Sequence, residues 1–409
     1  MVQALLDRIL KRLVAIGSLR ITYPNGEIRT YSGQPGPNAA LLIRDRKTLR
    51  RIITNPALAF GEAYMAGGIT PDGCDLYDVL DVLMLNSELS GAAHPAFAIR
   101  AQLAVFVRSI TQFNPAQRAR RNVAHHYDLN NQLYALFLDR DWQYSCAYFP
   151  HGDETLDAAQ AAKKRHIASK LLLDRPGLRV LDIGCGWGGM ALTLAHDYGA
   201  RVLGITLSSE QLARARARAD EAGLTDRVRF ELLDYRSITE RFDRVVSVGM
   251  FEHVGVVHYR TFFRTLSRCL EPDGVALIHA IGRSKGPAAT NAWFRKYIFP
   301  GGYSPALSEV LPAVEQSGLI ATDIEILRLH YAETLRRWRA NVEAHQDEIV
   351  ALYDERFYRM FEFYLAGSEL AFRHEGHMVW QLQLAQPEAQ VPLTRDYMLD
   401  TERRAVSSP

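Results

Sequence analysis

Leu178-Arg179-Val180-Leu181-Asp182-Ile183-Gly184-Cys185-Gly186-Trp187-Gly188-Gly189 is the stretch on which the reading of this chain turns. A short apolar run rich in Val, Leu and Ile predicts a buried strand. It ends at Asp182 in a loop with glycines at 184, 186 and 188. Met190, Leu192, Leu194 and Ala195 follow in an amphipathic stretch, so the order is strand, glycine-rich turn, helix. Glycine suits such a turn because a Cβ would hold the backbone away from a nucleotide-like ligand. A tight turn with no ligand is the plainer reading of a bare glycine pattern, and the Asp-x-Gly-x-Gly-x-Gly spacing argues against it.

Further strands are expected on the carboxyl side. Arg201–Leu207 is a second apolar run, and Thr206 stands where a dinucleotide-binding fold would carry a ribose-binding acid. NAD is therefore disfavoured. Ser208 and Gln211 form a capping box for a helix over Ser209–Ala222, and Gln211 is also placed to reach a ribose. Val228–Leu233 ends in Asp234-Tyr235, an acceptor and an aromatic face suited to adenine. Phe242–Met250 and Gly274–Gly282 complete an alternation that implies a mostly parallel sheet covered on both faces. Ligands then gather at the carboxyl ends of the strands, so Gly184, Thr206, Asp234, Glu252 and His279 should ring one crevice. The 182–188 spacing resembles the first motif of S-adenosylmethionine-dependent methyltransferases.

A narrower resemblance rests on six separated motifs: Ala124–Leu129 (AHHYDL), Gln143–Tyr148 (QYSCAY), Gly204–Ser208 (GITLS), Phe251–Gly255 (FEHVG), Leu277–Gly282 (LIHAIG) and Tyr297–Gly302 (YIFPGG). In this order they resemble the cyclopropane-fatty-acyl-phospholipid synthases and the related mycolic acid cyclopropane synthases, strongly over about residues 120–385. The resemblance implies an α/β fold of the class I methyltransferase type, Rossmann-like, with a mostly parallel seven-stranded sheet. It implies methylene transfer from S-adenosylmethionine to a cis double bond of a phospholipid acyl chain, through a carbocation. An isolated alkene is a poor nucleophile, so an apolar, water-free cavity is needed. Ring closure needs a base, which the resemblance makes a bicarbonate held by Cys146, Glu252, His279, the N–H of Ile281, and Tyr331. A carboxylate beside that anion implies a shared proton or a raised Glu252 pKa. The cofactor set is Tyr144, Ser145, Asp182, Gly184, Gly186, Gly188, Thr206, Leu207, Gln211, Asp234 and Tyr235, with no metal. For Cys146 and His279 the plainer readings are a small buried hydrophobe and a satisfied core histidine.

Composition sets the remaining bounds. The formal charge of +2 gives no electrostatic footprint for nucleic acid. The four cysteines show neither metal spacing nor a paired framework, which points to a reducing cytoplasm. No run approaches the roughly 20 apolar residues of a membrane span. Leu5, Leu6, Ile9, Leu10, Leu13 and Ile16 fall at helical spacing beside Arg8, Lys11 and Arg12, and a further basic cluster spans Arg44–Arg51. Both suit peripheral contact with a phospholipid bilayer at the inner face of the membrane, although a docked helix and a solvated face are the plain alternatives. Arg118, Arg120 and Arg121 form a third cluster, and Arg214, Arg216 and Arg218 read as solvated. The oligomeric state is open, with a homodimer as one option.

Domains are expected at 1–115 (small α+β, lipid-docking, with linker), 116–395 (catalytic, with an acyl-chain pocket) and 396–409 (tail). Within the first, Leu19–Tyr23 and Ala40–Ile43 read as strands and Asn86–Gly91 as a break. An aromatic insertion at 283–303 and helices near 331–346 and 348–373 read as core or as the wall of an acyl tunnel, and His377–Leu384 as a last, antiparallel strand. Two alternatives are carried. A fatty-acyl methyltransferase leaving a methyl or methylene branch would share every cofactor residue. A non-catalytic lipid-binding scaffold predicts eroded glycines, which are intact.

Overall fold

The structure is a computed structural model describing residues 2–89, 131–386 and 391–407, side chains at 88–89 and 404–407 apart. The AHHYDL motif, Asn114-Pro115 and the basic cluster at 118–121 lie outside these residues. The described residues form two units, and they are interleaved in sequence: one holds residues 2–89, 288–300 and 335–377, the other 131–287, 301–334, 378–386 and 391–407. The expected linear division at 115 therefore misses that 288–300 and 335–377 pack with the amino-terminal segment.

The first unit is built on a four-stranded sheet in the order β2-β1-β3-β4, from Ile28–Ser32, Ile16–Thr22, Gln34–Ile43 and Ile69–Pro71. Its core joins Leu6, Leu10, Leu19, Ile21, Leu41, Ile43, Ile52 and Val79 to Ala366 and Leu370 of the long helix Glu355–His374. Helix Leu76–Leu89 runs straight through Asn86, where a break was expected. The buried Asn86 amide accepts the N–H groups of Ala15 and Ile16 and donates to the Ile16 and Val82 carbonyls, so it ties strand β1 to the helix. Trp338, Tyr358, Phe361 and Tyr364 are buried, as both readings of these aromatic helices expect.

The second unit holds a seven-stranded sheet in the order β10-β11-β9-β8-β5-β6-β7. Strands β5 (Arg179–Ile183), β6 (Arg201–Thr206), β7 (Val228–Leu232), β8 (Phe242–Val248) and β9 (Leu270–Arg283) pair in parallel. Strand β11 (His377–Ala385) pairs antiparallel with β10 (Ile320–Leu327), a strand the sequence reading does not anticipate. The apolar side chains of β5, β6 and β8 point to both faces of the sheet, because both faces are covered. Residues Asp396–Ser407 form a helix and not a loose tail. Its Glu402 pairs with His166, and Tyr397 receives the Gln383 amide at 2.7 Å.

Candidate active site

The glycine loop after β5 behaves as its sequence implies. Gly184, Gly186 and Gly188 all take left-handed backbone, at φ of 82°, 55° and 86°. A cleft of about 1140 Å³ up to its open mouth lies over the carboxyl ends of β5, β6, β7 and β8, a size suited to a nucleoside-bearing ligand. Its wall includes Tyr144, Ser145, Asp182, Gly184, Gly186, Thr206, Leu207, Gln211, Asp234 and Tyr235. Gly188 is absent from that wall. A Cβ there would lie 2.7 Å from the Phe230 ring and 3.2 Å from Ala215, so this glycine closes the packing of helix onto sheet. At Gly186 a Cβ would meet nothing within 4 Å.

Local chemistry sets each wall residue. Thr206 Oγ1 donates to Gln211 Oε1 at 2.8 Å and accepts the Ser208 N–H, while Ser208 caps the next helix through the Gln211 N–H. Both Asp234 oxygens accept from Arg236, at 2.8 and 2.7 Å, so this carboxylate comes to the cleft already neutralised. Asp182 differs. Burial pushes its pKa up to about 7 against the pull of Lys163, and its Oδ2 has no hydrogen-bond partner. A ligand ammonium would satisfy that oxygen. Trp142, also on the wall, holds φ at +58°, a conformation bulky residues rarely adopt. Its ring meets Trp187 edge-on at 5.6 Å. Sequence reading missed Trp142, Trp187, Arg236 and His253 on this wall.

The base-site candidates lie one layer behind. Cys146 follows the wall residue Ser145, and its thiol donates to the Ala147 carbonyl at 3.2 Å. Burial pushes that thiol up, against the field of Lys163. Glu252 is the neighbour of His253 and accepts the Ile281 N–H at 2.6 Å. Burial raises Glu252 to about 7, and its Oε2 has no partner. The raised pKa expected from a neighbouring anion is thus already present from desolvation. His279 is joined to the wall through its carbonyl, which accepts the Gly249 N–H at 2.9 Å. Burial, then Lys163 and Lys170, drive the imidazole well below its ordinary pKa, so it is neutral. Tyr331 is buried in the first turn of helix His330–Ala344, and Thr334 one turn on accepts the Ala147 N–H at 3.0 Å. Phe251 packs against Tyr259, Phe262 and Trp380 in the core.

One residue unifies the two layers, and no motif marks it. Lys163, fully buried on helix Leu156–Lys170, donates to Gln143 Oε1 at 2.6 Å and Ser145 Oγ at 2.9 Å. Desolvation pulls it down to about 8. Its charge acts on Asp182, Cys146 and His279 together. The arginines at 214–218 are also more than a solvated face, since Arg218 holds the Trp187 carbonyl at 2.8 Å and pairs with Asp141. Among the described residues no cluster of His, Cys, Asp and Glu could hold a metal ion.

Known proteins share this architecture. A family model described as mycolic acid cyclopropane synthetase matches residues 114–382, and a domain of unknown function matches 5–91. The chain is 37% identical over 346 residues to cyclopropane-fatty-acyl-phospholipid synthase of Escherichia coli strain K12, covering 84% of this chain and 87% of that one. It is 37% identical over 377 residues to a probable fatty acid methyltransferase of Pseudomonas putida, covering 89% and 92%. A mycolic acid cyclopropane synthase solved in complex with SAH and CTAB matches with a TM-score of 0.62 and 33% identity, over 67% of this chain and 99% of that one.

Proposed function

This chain belongs to the mycolic acid cyclopropane synthetase family, and we propose that it cyclopropanates cis-unsaturated acyl chains of membrane phospholipids with a bicarbonate as base. It is an S-adenosylmethionine-dependent methyltransferase. The observation that carries the reading is a pair of buried, unpartnered carboxylate oxygens: Asp182 Oδ2 on the cleft wall and Glu252 Oε2 behind it.

The residues present fit the cofactor. Asp182 suits its ammonium, Gly184 and Gly186 let the backbone approach it, and Leu207, Gln211, Asp234 and Tyr235 suit its nucleoside end. When bound, S-adenosylmethionine supplies an electrophilic methyl group. The chain's own task is to keep water from the cation that forms on the acyl chain and to accept a proton from the added methyl, so that the ring can close. Glu252, raised to about 7, can share a proton with a bound bicarbonate where an ordinary carboxylate would repel it. Neutral His279 can donate to that anion without adding charge, and Cys146 and Tyr331 complete the set, whereas the Ile281 N–H assigned to it is already taken by Glu252 and acts through that carboxylate. The Pseudomonas putida relative, named a fatty acid methyltransferase, is as similar as the Escherichia coli synthase. It sustains a second reading without ring closure: the proton leaves from a chain carbon to give a methyl-branched alkene, or a hydride shift first moves the cation to the methyl-bearing carbon and loss of a methyl proton gives a methylene branch.

No described helix is long and apolar enough to cross a membrane; in the proposed reaction the substrate is reached peripherally, at the cytoplasmic face. Helix Val2–Leu13 supports this through exposed Leu5 and Ile9 beside exposed Arg8 and Arg12. The test is mass spectrometry of vesicles of cis-unsaturated phospholipid after incubation with the purified protein and S-adenosylmethionine. A gain of one CH₂ that resists mild hydrogenation is the expected ring. A product of the same mass gain that hydrogenation reduces indicates an unsaturated methyl or methylene branch, and no mass gain would remove both readings.

A further inference from the structure

Strand β11 is buried along almost its whole length, yet it carries Gln381 and Gln383 at no exposure. Buried amides are costly unless their polar atoms are met. Gln383 is accounted for structurally: it donates to the Lys170 carbonyl and the Tyr397 hydroxyl, and accepts from Thr322. Gln381 is placed otherwise. Its Oε1 accepts from the Lys170 ammonium at 2.8 Å, and its Nε2 lies 3.2 Å from Nδ1 of His279.

The donor inventory of these three groups leaves one arrangement. Lys170 pairs with Glu325, which stands opposite Gln381 in the β10–β11 register and opposes the burial that lowers the lysine's pKa, and an ammonium can only donate. The amide oxygen must therefore face Lys170, and the amide NH₂ must face His279. An NH₂ group can only donate, so Nδ1 of His279 must accept. The imidazole is neutral and carries its one proton on Nε2.

We infer that Gln381, oriented by Lys170, is a positioning residue that fixes His279 as the Nε2–H tautomer, so that the ring presents a donor to the reaction's base. The inference rests on the assignment of His279 to the base site. It gives Lys170 and Glu325 a role that their place outside the cofactor cleft does not suggest. A histidine of the opposite tautomer would offer a lone pair to the anion and repel it.

The test is ¹⁵N spectroscopy of the full chain labelled at histidine, with the His279 signals identified by their loss in His279→Ala. The wild type is expected to show a proton-bearing Nε2 and a bare Nδ1. In Gln381→Glu the new carboxylate accepts from the ring, so the proton should move to Nδ1. Turnover should then fall on the order of 10²–10⁴-fold, the scale of a wrong-tautomer histidine, with cofactor affinity unchanged. Gln381→Met keeps the volume without polar atoms and should lose the tautomer preference, with a smaller fall in turnover. An unchanged tautomer in either variant overturns the inference. A reversed tautomer with undiminished turnover overturns instead the role assigned to His279, and leaves Gln381 in control of the ring. If Gln381→Glu does not fold, the spectrum of Gln381→Met decides alone.

Discussion

The Glu252 carboxylate accepts the backbone N–H of Ile281 at 2.6 Å, so two motifs that are separate in sequence close on each other behind the cofactor cleft. The contact fixes one oxygen of Glu252 and leaves Oε2 for a ligand. Glu252→Gln should retain the contact, because an amide oxygen accepts equally well, while losing the proton-sharing oxygen. Turnover is expected to fall on the order of 10²–10⁴-fold, as is usual for loss of acid–base function, with cofactor affinity nearly intact. His279→Ala should behave alike, and bicarbonate-depleted buffer should slow the wild type. Normal turnover in both variants would refute the assignment.

The same carboxyl links stability to pH. Its folded pKa of about 7 lies above the ordinary 4.5, so between these values the folded protein binds more protons than the unfolded chain. Stability from this group therefore falls as pH rises from 4.5 to 7 and is level above. Glu252→Gln removes the penalty. The variant should match the wild type near pH 4 and exceed it at pH 8 by up to about 3 kcal/mol. Thermal melts at the two pH values measure this, and an equal difference at both would contradict the burial of an ionisable group.

Asp182 offers an independent probe of the cleft. With a pKa of about 7 it is partly protonated near neutrality, and a cationic ligand group beside it favours the carboxylate. Binding of S-adenosylmethionine at pH 6.5 should expel part of a proton from this site, an effect absent in Asp182→Asn. Calorimetry in buffers of different ionisation enthalpy reads the difference between the two proteins. Equal proton release in both would place the ligand's ammonium elsewhere.

Much of this site was legible because close backbone approach and buried strands leave marks in sequence. Strands β5 and β6 are largely apolar, and Asp182, Gly184, Gly186, Thr206 and Gln211 stand at or just beyond their ends. Lys163 was not legible. It sits beside Lys164 in a polar helix, and only the tertiary fold buries the first completely while the second reaches Asp141. Strand β10 hid because Asp323 and Glu325 break its apolar pattern, and both face Lys170. His377–Leu384 is the antiparallel strand its alternation suggested, and its polar side chains, buried with the rest, hold a hydrogen-bond network. The interleaving of 288–300 and 335–377 with the amino-terminal unit has no local signature at all.

The three loop glycines should separate by measurement. Gly186→Val places methyls in open cleft space on a left-handed backbone, and it should abolish cofactor binding, with a loss of stability from backbone strain and none from packing. Gly188→Ala meets the Phe230 ring instead, so it should lower the melting temperature, by an overpacking cost of about 1–3 kcal/mol. Unchanged cofactor affinity in folded Gly186→Val would sink the cleft assignment.

The last prediction concerns the bilayer. Helix Val2–Leu13 is docked on its own unit through Leu6 and Leu10, and Asp7 pairs with Lys11 and Arg29. Deleting it would uncover that core, so point changes are the cleaner test. Leu5 and Ile9 remain 46% and 42% exposed, and Arg8 and Arg12 lie one turn apart on the same outward side. The helix Arg46–Thr54, which packs beside it, adds exposed Arg46, Lys47 and Arg50. Each basic residue near an anionic surface is worth about 1 kcal/mol, within a short screening length. Binding to anionic vesicles should therefore weaken steeply with salt. Arg8→Gln with Arg12→Gln should cost on the order of tenfold to thirtyfold in affinity at low salt. Leu5→Gln with Ile9→Gln should weaken binding at every salt concentration, because apolar insertion is not screened. All four positions are surface sites, so melting temperatures should hardly move. Vesicle sedimentation decides the matter: undiminished lipid binding in the fourfold variant would remove this helix from the docking surface.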